Sequence, residues 1–251
     1  MHRLLAIVPA YNEAAAIAAT IDDIRRKAPG WDVLVVDDGS TDNTAGRATT
    51  TGARVIRHPF NLGIGGAVQS GYLFALENGY DYAVQVDGDG QHDAGYLPEM
   101  LGRLQSSQDL NMVTGSRFLA EDREGYRSSA PRRLGIRAFS WILSRITGRA
   151  ITDPTSGLRM TDRHGIELFA RDYPHDYPEV EAVLLLHAHK LRAEEIPVRM
   201  RPRTTGRSSI TSSVSVIYMT KVLLAVFVGL FRTRPNVDPG DNAAVSAEAS
   251  L

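Results

Sequence analysis

Short apolar runs at residues 4–8, 33–36, 53–57 and 82–86 alternate with helix-forming stretches, and this alternation constrains the fold more than any other feature of the chain. A chain that returns through a helix between buried strands builds an α/β structure, a mainly parallel central sheet covered by helices. Ligands of such sheets bind in the crevice outside the carboxyl ends of the strands. Three of the four runs end in chemically capable loops. Pro9-Ala10-Tyr11-Asn12-Glu13 follows the first, Asp37-Asp38-Gly39-Ser40 the second and Asp87-Gly88-Asp89-Gly90-Gln91-His92 the fourth. The topology gathers all three along one edge.

Helices are predicted over about 12–27, after Ser40 or Thr41, and over 65–77, 132–146, 162–170 and 180–190. Further strands are predicted over 112–115, 156–160 and 195–198. Pro9 is expected to stop the first strand. Ser40 or Thr41 can cap the helix that follows, and capping is the simplest use of Asp38, Ser40 and Asp42. The polar stretch 119–129 reads as a loop, and residues from 235 onward as a disordered tail. In 251 residues, Lys plus Arg (28) nearly balances Asp plus Glu (29), so net charge gives no ground for a nucleic-acid partner. The absence of cysteine excludes disulfides and thiolate metal sites. The first apolar run meets Asn12 and Glu13 too soon to be a secretory signal.

Asp87 and Asp89 stand two residues apart, so in an extended geometry their carboxylates share one side and repel each other unless a cation lies between them. A hard divalent cation, Mg²⁺ or Mn²⁺, suits two such oxygens and commonly bridges to phosphate. An Asp-Gly pair alone is also a turn former. The segment is not an EF-hand loop, which would need Gly at His92 and Glu at Pro98. Gly63-Ile64-Gly65-Gly66-Ala67-Val68 imitates a dinucleotide fingerprint, but Val68 occupies the third glycine position and the stretch follows the third strand.

Together, Pro9 to Glu13, Val35-Val36-Asp37-Asp38-Gly39-Ser40-Thr41-Asp42, Asn61-Leu62-Gly63 with Gly65-Gly66-Ala67, and Asp87 to His92 resemble, in order and spacing, the family 2 glycosyltransferases of the GT-A nucleotide-sugar (Rossmann-like) fold. Gly115-Ser116-Arg117, Asp153 to Arg159, Glu195-Ile196-Pro197-Val198 and Arg203 to Ser209 are similar to the dolichyl- or polyprenyl-phosphate sugar synthase branch. The resemblance spans about residues 3–210 and implies a nucleotide-sugar donor framed by Pro9, Tyr11 and Glu13, with Asp37 on the base or ribose. It implies Asp87, Asp89 and Gln91 as ligands of Mg²⁺ or Mn²⁺ at the diphosphate, with Arg203 on the same group. Where the family commonly has Ser-Lys this chain has Ser208-Ser209, so Arg207 could replace that phosphate contact.

The branch transfers a hexosyl group with inversion to polyprenyl phosphate. The acceptor phosphate is largely dianionic at neutral pH and scarcely needs a general base. Cationic positioning matters more, and Arg117, Arg133 and Arg137 are expected to grip that phosphate, the last two sharing a helix face. The resemblance puts Asp153 near the reaction centre, to orient the acceptor or act as base; a turn-forming Asp before Pro154 is the plain alternative. Glu181 is open between a contact to the donor sugar and a surface position, and His92 is read as a support behind the metal. His187 and His189 cannot share a helix face.

Residues 214–231 are largely apolar but carry Lys221 near the middle. The division expected is a catalytic domain over 1–210, an apolar helix over 211–234 lying on the cytoplasmic membrane surface, and a tail over 235–251. Related enzymes often continue into transmembrane helices, which leaves room here for a separate membrane partner protein. Two rival readings remain: the same fold acting on a saccharide hydroxyl, for which Asp153 would be essential, and a non-enzymatic nucleotide-sugar binder, against which Asp87 and Asp89 stand intact.

Overall fold

The computed structural model describes residues 2–119, 130–175 and 177–202; for 130–135 the description is of the backbone alone. Seven strands form one sheet: β1 (Leu4–Ala10), β2 (Asp32–Asp37), β3 (Arg54–Arg57), β4 (Tyr82–Gln85), β5 (Met112–Ser116), β6 (Arg159–Thr161) and β7 (Ala193–Pro197). Their order is β3-β2-β1-β4-β6-β5-β7. Pairing is parallel except at β6, which runs antiparallel to both β4 and β5. The helices are α1 (Ile17–Lys27), α2 (Thr44–Thr50), α3 (Gly63–Glu77), α4 (Leu97–Gln105), α5 (Ala130–Thr147), α6 (Arg163–Arg171) and α7 (Pro178–Ala188).

Strand alternation divides the core in two. Ala6, Val8, Val33, Val35 and Val84 face α1, burying Ile17, Ile21 and Ile24. Leu5, Ile7, Leu34, Val36 and Ala83 face the opposite way, onto Val68 and Tyr72 of α3 and Ile166 and Phe169 of α6. A smaller cluster joins Phe139 and Leu143 of α5 to Val180 and Leu184 of α7. Burial of β1, β2 and β4 on both faces, from the second residue of each onward, explains why these strands read as continuous apolar runs.

Several local expectations shift. β1 continues through Pro9 to Ala10. Pro9 O accepts from Gly88 N, so this residue faces β4, and β4 ends at Gln85; the missing proline N–H therefore costs no ladder bond. The first helix begins at Ile17 rather than near residue 12, because Asn12 takes φ +56° and the following residues turn into the site. The sequence pattern gave no sign of α4, and the antiparallel β6 starts at Arg159 rather than 156 because Ser156 belongs to a turn. The segments 211–234 and 235–251 lie outside the described residues, and among the described residues no helix is long and apolar enough to cross a membrane.

Candidate active site

The loops after β1, β2 and β4 lie side by side, as the strand order β2-β1-β4 requires. The first two are tied by hydrogen bonds from backbone to short polar side chains. Asn12 N donates to Ser40 Oγ (2.9 Å), Glu13 N to Thr44 Oγ1 (2.9 Å) and Ala14 N to Asp42 Oδ2 (3.1 Å). In return, Asn12 Oδ1 accepts from Thr41 N (2.9 Å). Ser40 thus joins loops, whereas Asp42 does both: its Oδ2 holds Ala14 N and its Oδ1 accepts from Thr44 N (3.0 Å), the first N–H of α2, as a capping carboxylate would. An open cavity lies between these loops and the start of α3, lined by Pro9, Tyr11, Glu13, Asp38, Asn61, Gly63, Asp87 and Asp89.

Asp37 and Asp38 are both buried, but Asp38 keeps the helix-capping part expected of it, at the start of α3. Asp37 is 0% exposed: its Oδ1 accepts from Ser40 N (3.1 Å), and Arg57 Nε stands 3.2 Å from Oδ2. The carboxylate is enclosed and does not line the cavity. Asp38 lines the cavity instead. It holds the wall in shape, accepting from Leu62 N (2.8 Å), Gly63 N (2.9 Å) and His58 Nδ1 (2.8 Å).

At the end of β4, Asp87 is 36% exposed and oriented from three sides. Gln85 Nε2 donates to its Oδ1 (3.1 Å). Its own N–H donates to His92 Nδ1 (3.1 Å), which leaves the neutral His92 proton on Nε2, 3.7 Å from Oδ2. The backbone of Gly157 closes the third side, since a Cβ there would lie 2.9 Å from Asp87 Oδ2. Asp89 Oδ1 accepts from Gln91 N (3.0 Å). Gln91 does not line the cavity; its side chain turns toward Arg201 O, 3.5 Å away, so the third expected metal ligand stands apart from the two carboxylates. Among the described residues no three His, Cys, Asp or Glu side chains come together as a metal cage. Two carboxylates at an open cavity fit a hard cation that takes its remaining ligands from substrate phosphate and water, as Mg²⁺-type sites do.

Arg117 and Asp153, expected to meet substrate separately, meet each other. Arg117 Nε and Nη2 reach Asp153 Oδ2 and Oδ1 at 2.6 and 2.7 Å, with side chains 8% and 0% exposed. Arg117 N and Thr155 Oγ1 donate to the same carboxylate. Each oxygen of the carboxylate accepts two of these donors, and the guanidinium spends its Nε and Nη2 on Asp153 and on Thr155 Oγ1 (2.8 Å). Glu195 of β7 supports the pair from below by accepting from Thr152 N (2.8 Å) and Asp153 N (3.0 Å). Arg137 is exposed on α5; of Arg133 the backbone alone is described, and Arg203 lies outside the described residues.

Two groups escaped the sequence reading. Arg159 is 2% exposed and donates to Ser156 O (2.8 Å) and Pro154 O (3.2 Å), fixing the turn that carries Asp153 and Gly157. Glu179, in the first turn of α7, has its carboxyl raised by burial, a shift that Arg159 opposes and the charge of Asp87 reinforces. The sequence offered no signal beyond an acidic first turn, which ordinarily answers the helix dipole.

The sequence profile described as Glycosyl transferase family 2 matches residues 5–168. The undecaprenyl-phosphate mannosyltransferase of Micrococcus luteus is 30% identical over 239 residues, covering 89% of this chain and 95% of that one. The polyprenol monophosphomannose synthase of Mycolicibacterium smegmatis is 28% identical over 223 residues, covering 84% and 82%. Among solved structures, glucosyl-3-phosphoglycerate synthase of Mycobacterium tuberculosis, in complex with Mn²⁺, UDP and phosphoglyceric acid, superposes with a TM-score of 0.69 at 21% identity, covering 94% of this chain and 80% of that one. At that identity the likeness concerns the fold, which is GT-A.

Proposed function

Since this chain belongs to glycosyltransferase family 2 and is a glycosyltransferase, we propose that it moves a hexosyl group, with inversion, from a nucleoside-diphosphate sugar to polyprenyl phosphate. The observation that carries the reading is the convergence of Pro9, Tyr11, Glu13, Asp38, Asp87 and Asp89 on one cavity at the strand ends. The acceptor follows from the relatives' activities, and the committed state of Asp153 supports it. A phosphate dianion needs no proton removed, whereas a sugar hydroxyl would need a base, and the carboxylate expected in that role is held by Arg117.

Pro9, Tyr11 and Glu13 frame the nucleoside, while Asp38 fixes the opposite wall through Leu62 and Gly63. Asp87 and Asp89 would hold Mg²⁺ or Mn²⁺, which when bound supplies Lewis-acid neutralisation of the leaving diphosphate. Gln85, His92 and Gly157 keep Asp87 facing the cavity, so its orientation is set before substrate arrives. Arg137, with Arg133 one turn earlier on α5, attracts the acceptor phosphate toward the donor, and Arg203 adds positive charge at the diphosphate.

The protein works at the cytoplasmic membrane surface, where residues 214–231 supply apolar anchoring. The exposed face of α5 supports that placement: Trp141 is 64% exposed, with Arg137 and Arg145 four residues to either side. The experiment is incubation with polyprenyl phosphate, Mn²⁺ and a panel of radiolabelled UDP- and GDP-sugars. Lipid-extractable label is expected with one donor. Label appearing on a saccharide or a water-soluble acid, and none in lipid, refutes the acceptor.

A further inference from the structure

We propose that Arg201 is a positioning residue for the carboxylate loop 87–92, holding the far end of the loop so that Asp89 is presented to the metal; this rests on reading Asp87 and Asp89 as the metal carboxylates. The near end of the loop is anchored at Gly88, whose N–H donates to Pro9 O (3.3 Å) and whose carbonyl accepts from Thr20 Oγ1 (3.2 Å). The far end has a different anchor, 110 residues away in the chain. Arg201 N donates to Gln91 O (2.9 Å), and its guanidinium bridges Asp23 of α1 (Nη1 to Oδ2, 2.9 Å) and Asp93 (Nη2 to Oδ1, 2.8 Å). Lys27 Nζ joins the same node, 2.6 Å from Asp93 Oδ1 and 3.4 Å from Asp23 Oδ1.

Between the two anchors the backbone turns at Gly90, with φ +76°. Asp89 Oδ1 accepts from Gln91 N, so the carboxylate follows wherever Gln91 is held. The Arg201 N–H holds Gln91 itself, and the guanidinium sets where that N–H stands by gripping Asp93, two residues further on, and Asp23 of α1; R201M keeps the N–H and loses the grip. The Asp23 side chain is 9% exposed. Burial by itself would raise its carboxyl, yet the Arg201 guanidinium, with Arg26 and Lys27, brings it below the usual range. The node therefore joins one buried carboxylate, Asp23, to partly exposed partners as a network of charges rather than an isolated ion pair.

Charge and position make opposite predictions for Arg201→Met. Removing a positive charge near the site would by itself strengthen the binding of a divalent cation. Releasing the loop weakens it, and loss of a residue that orients a ligand costs about 10–100-fold in metal affinity. A purely structural residue would lower the melting temperature and leave metal affinity unchanged. The experiment titrates Mn²⁺ into the full-length protein with saturating UDP, and in parallel GDP, following free Mn²⁺ by electron paramagnetic resonance. Wild type, R201M, R201K and the distant surface variant R103M are compared, with circular dichroism as the check of folding. R201M is expected to weaken Mn²⁺ binding about tenfold or more, R201K less, and R103M not at all. Unchanged or tighter binding in R201M overturns the proposal. If R201M fails to fold, R201K and R201Q decide it, and wild-type affinity in both overturns it. Absence of Mn²⁺ binding in the wild type itself overturns the metal reading of Asp87 and Asp89, and this proposal with it.

Discussion

Replacing Asp153 by alanine separates a buried clamp from a catalytic base. In the folded protein its carboxylate accepts from Arg117 N (3.1 Å), Nε (2.6 Å) and Nη2 (2.7 Å) and from Thr155 Oγ1 (3.2 Å). With the carboxylate gone, a guanidinium only 8% exposed loses its counter-ion while staying too enclosed to recover full hydration. Breaking one side of a buried pair costs about 3–5 kcal/mol. For a chain of this size, each kcal/mol moves the melting temperature by about 2–4 °C, so D153A should melt about 6–20 °C below wild type. The double variant R117M/D153A removes both charges and should recover part of that loss, because a buried pair can be exchanged for apolar groups at little cost. Thermal melts by circular dichroism of wild type, both single variants and the double variant give the coupling energy directly. Transfer rates measured well below the melting point complete the comparison. A D153A protein that melts like wild type while losing transfer would refute the clamp and restore Asp153 as a base.

Asp89→Ala should lower transfer by about 100-fold or more while leaving the melting temperature near that of wild type, because its side chain lies at the cavity rather than in the core; full activity in EDTA would refute the metal role. Asp23 has a folded-state carboxyl below the ordinary value of about 3.9. Its contribution to stability is therefore complete above that pH and lost as pH falls through the folded value. Melts between pH 5 and pH 2 should show this loss in wild type and a shallower one in R201M. Removing residues 211–251 should shift the protein from the membrane to the soluble fraction on sedimentation, and an unchanged distribution would refute the anchoring role of 214–231.

The architecture and the edge on which the site lies could be read from the chain alone because both depend on local pattern. Apolar runs buried on both faces leave a continuous signature, and the alternation of strands with helices puts the loops bearing Pro9, Asp38 and Asp87 at one end of a parallel sheet. The short α4 and the antiparallel β6 left no comparable signature, since a nine-residue helix and a three-residue strand take their stability from packing.

Within the site, tertiary structure made the assignments. Asp37 and Asp38 are neighbours in the same acidic pair, but successive side chains leave a strand in opposite directions, so register and the position of Arg57 decided which was enclosed and which lined the cavity. Arg117 and Asp153, 36 residues apart, each resembled a substrate contact until β5 and the turn before β6 brought them together. Arg201 meets the carboxylate loop across 110 residues, with no motif to mark it. The sequence by itself determined which chemical groups reach the edge of the sheet. Which of them face a ligand and which neutralise one another was decided only by the tertiary structure, because a charge acts on what lies within a few ångströms of it, and long-range packing sets those distances.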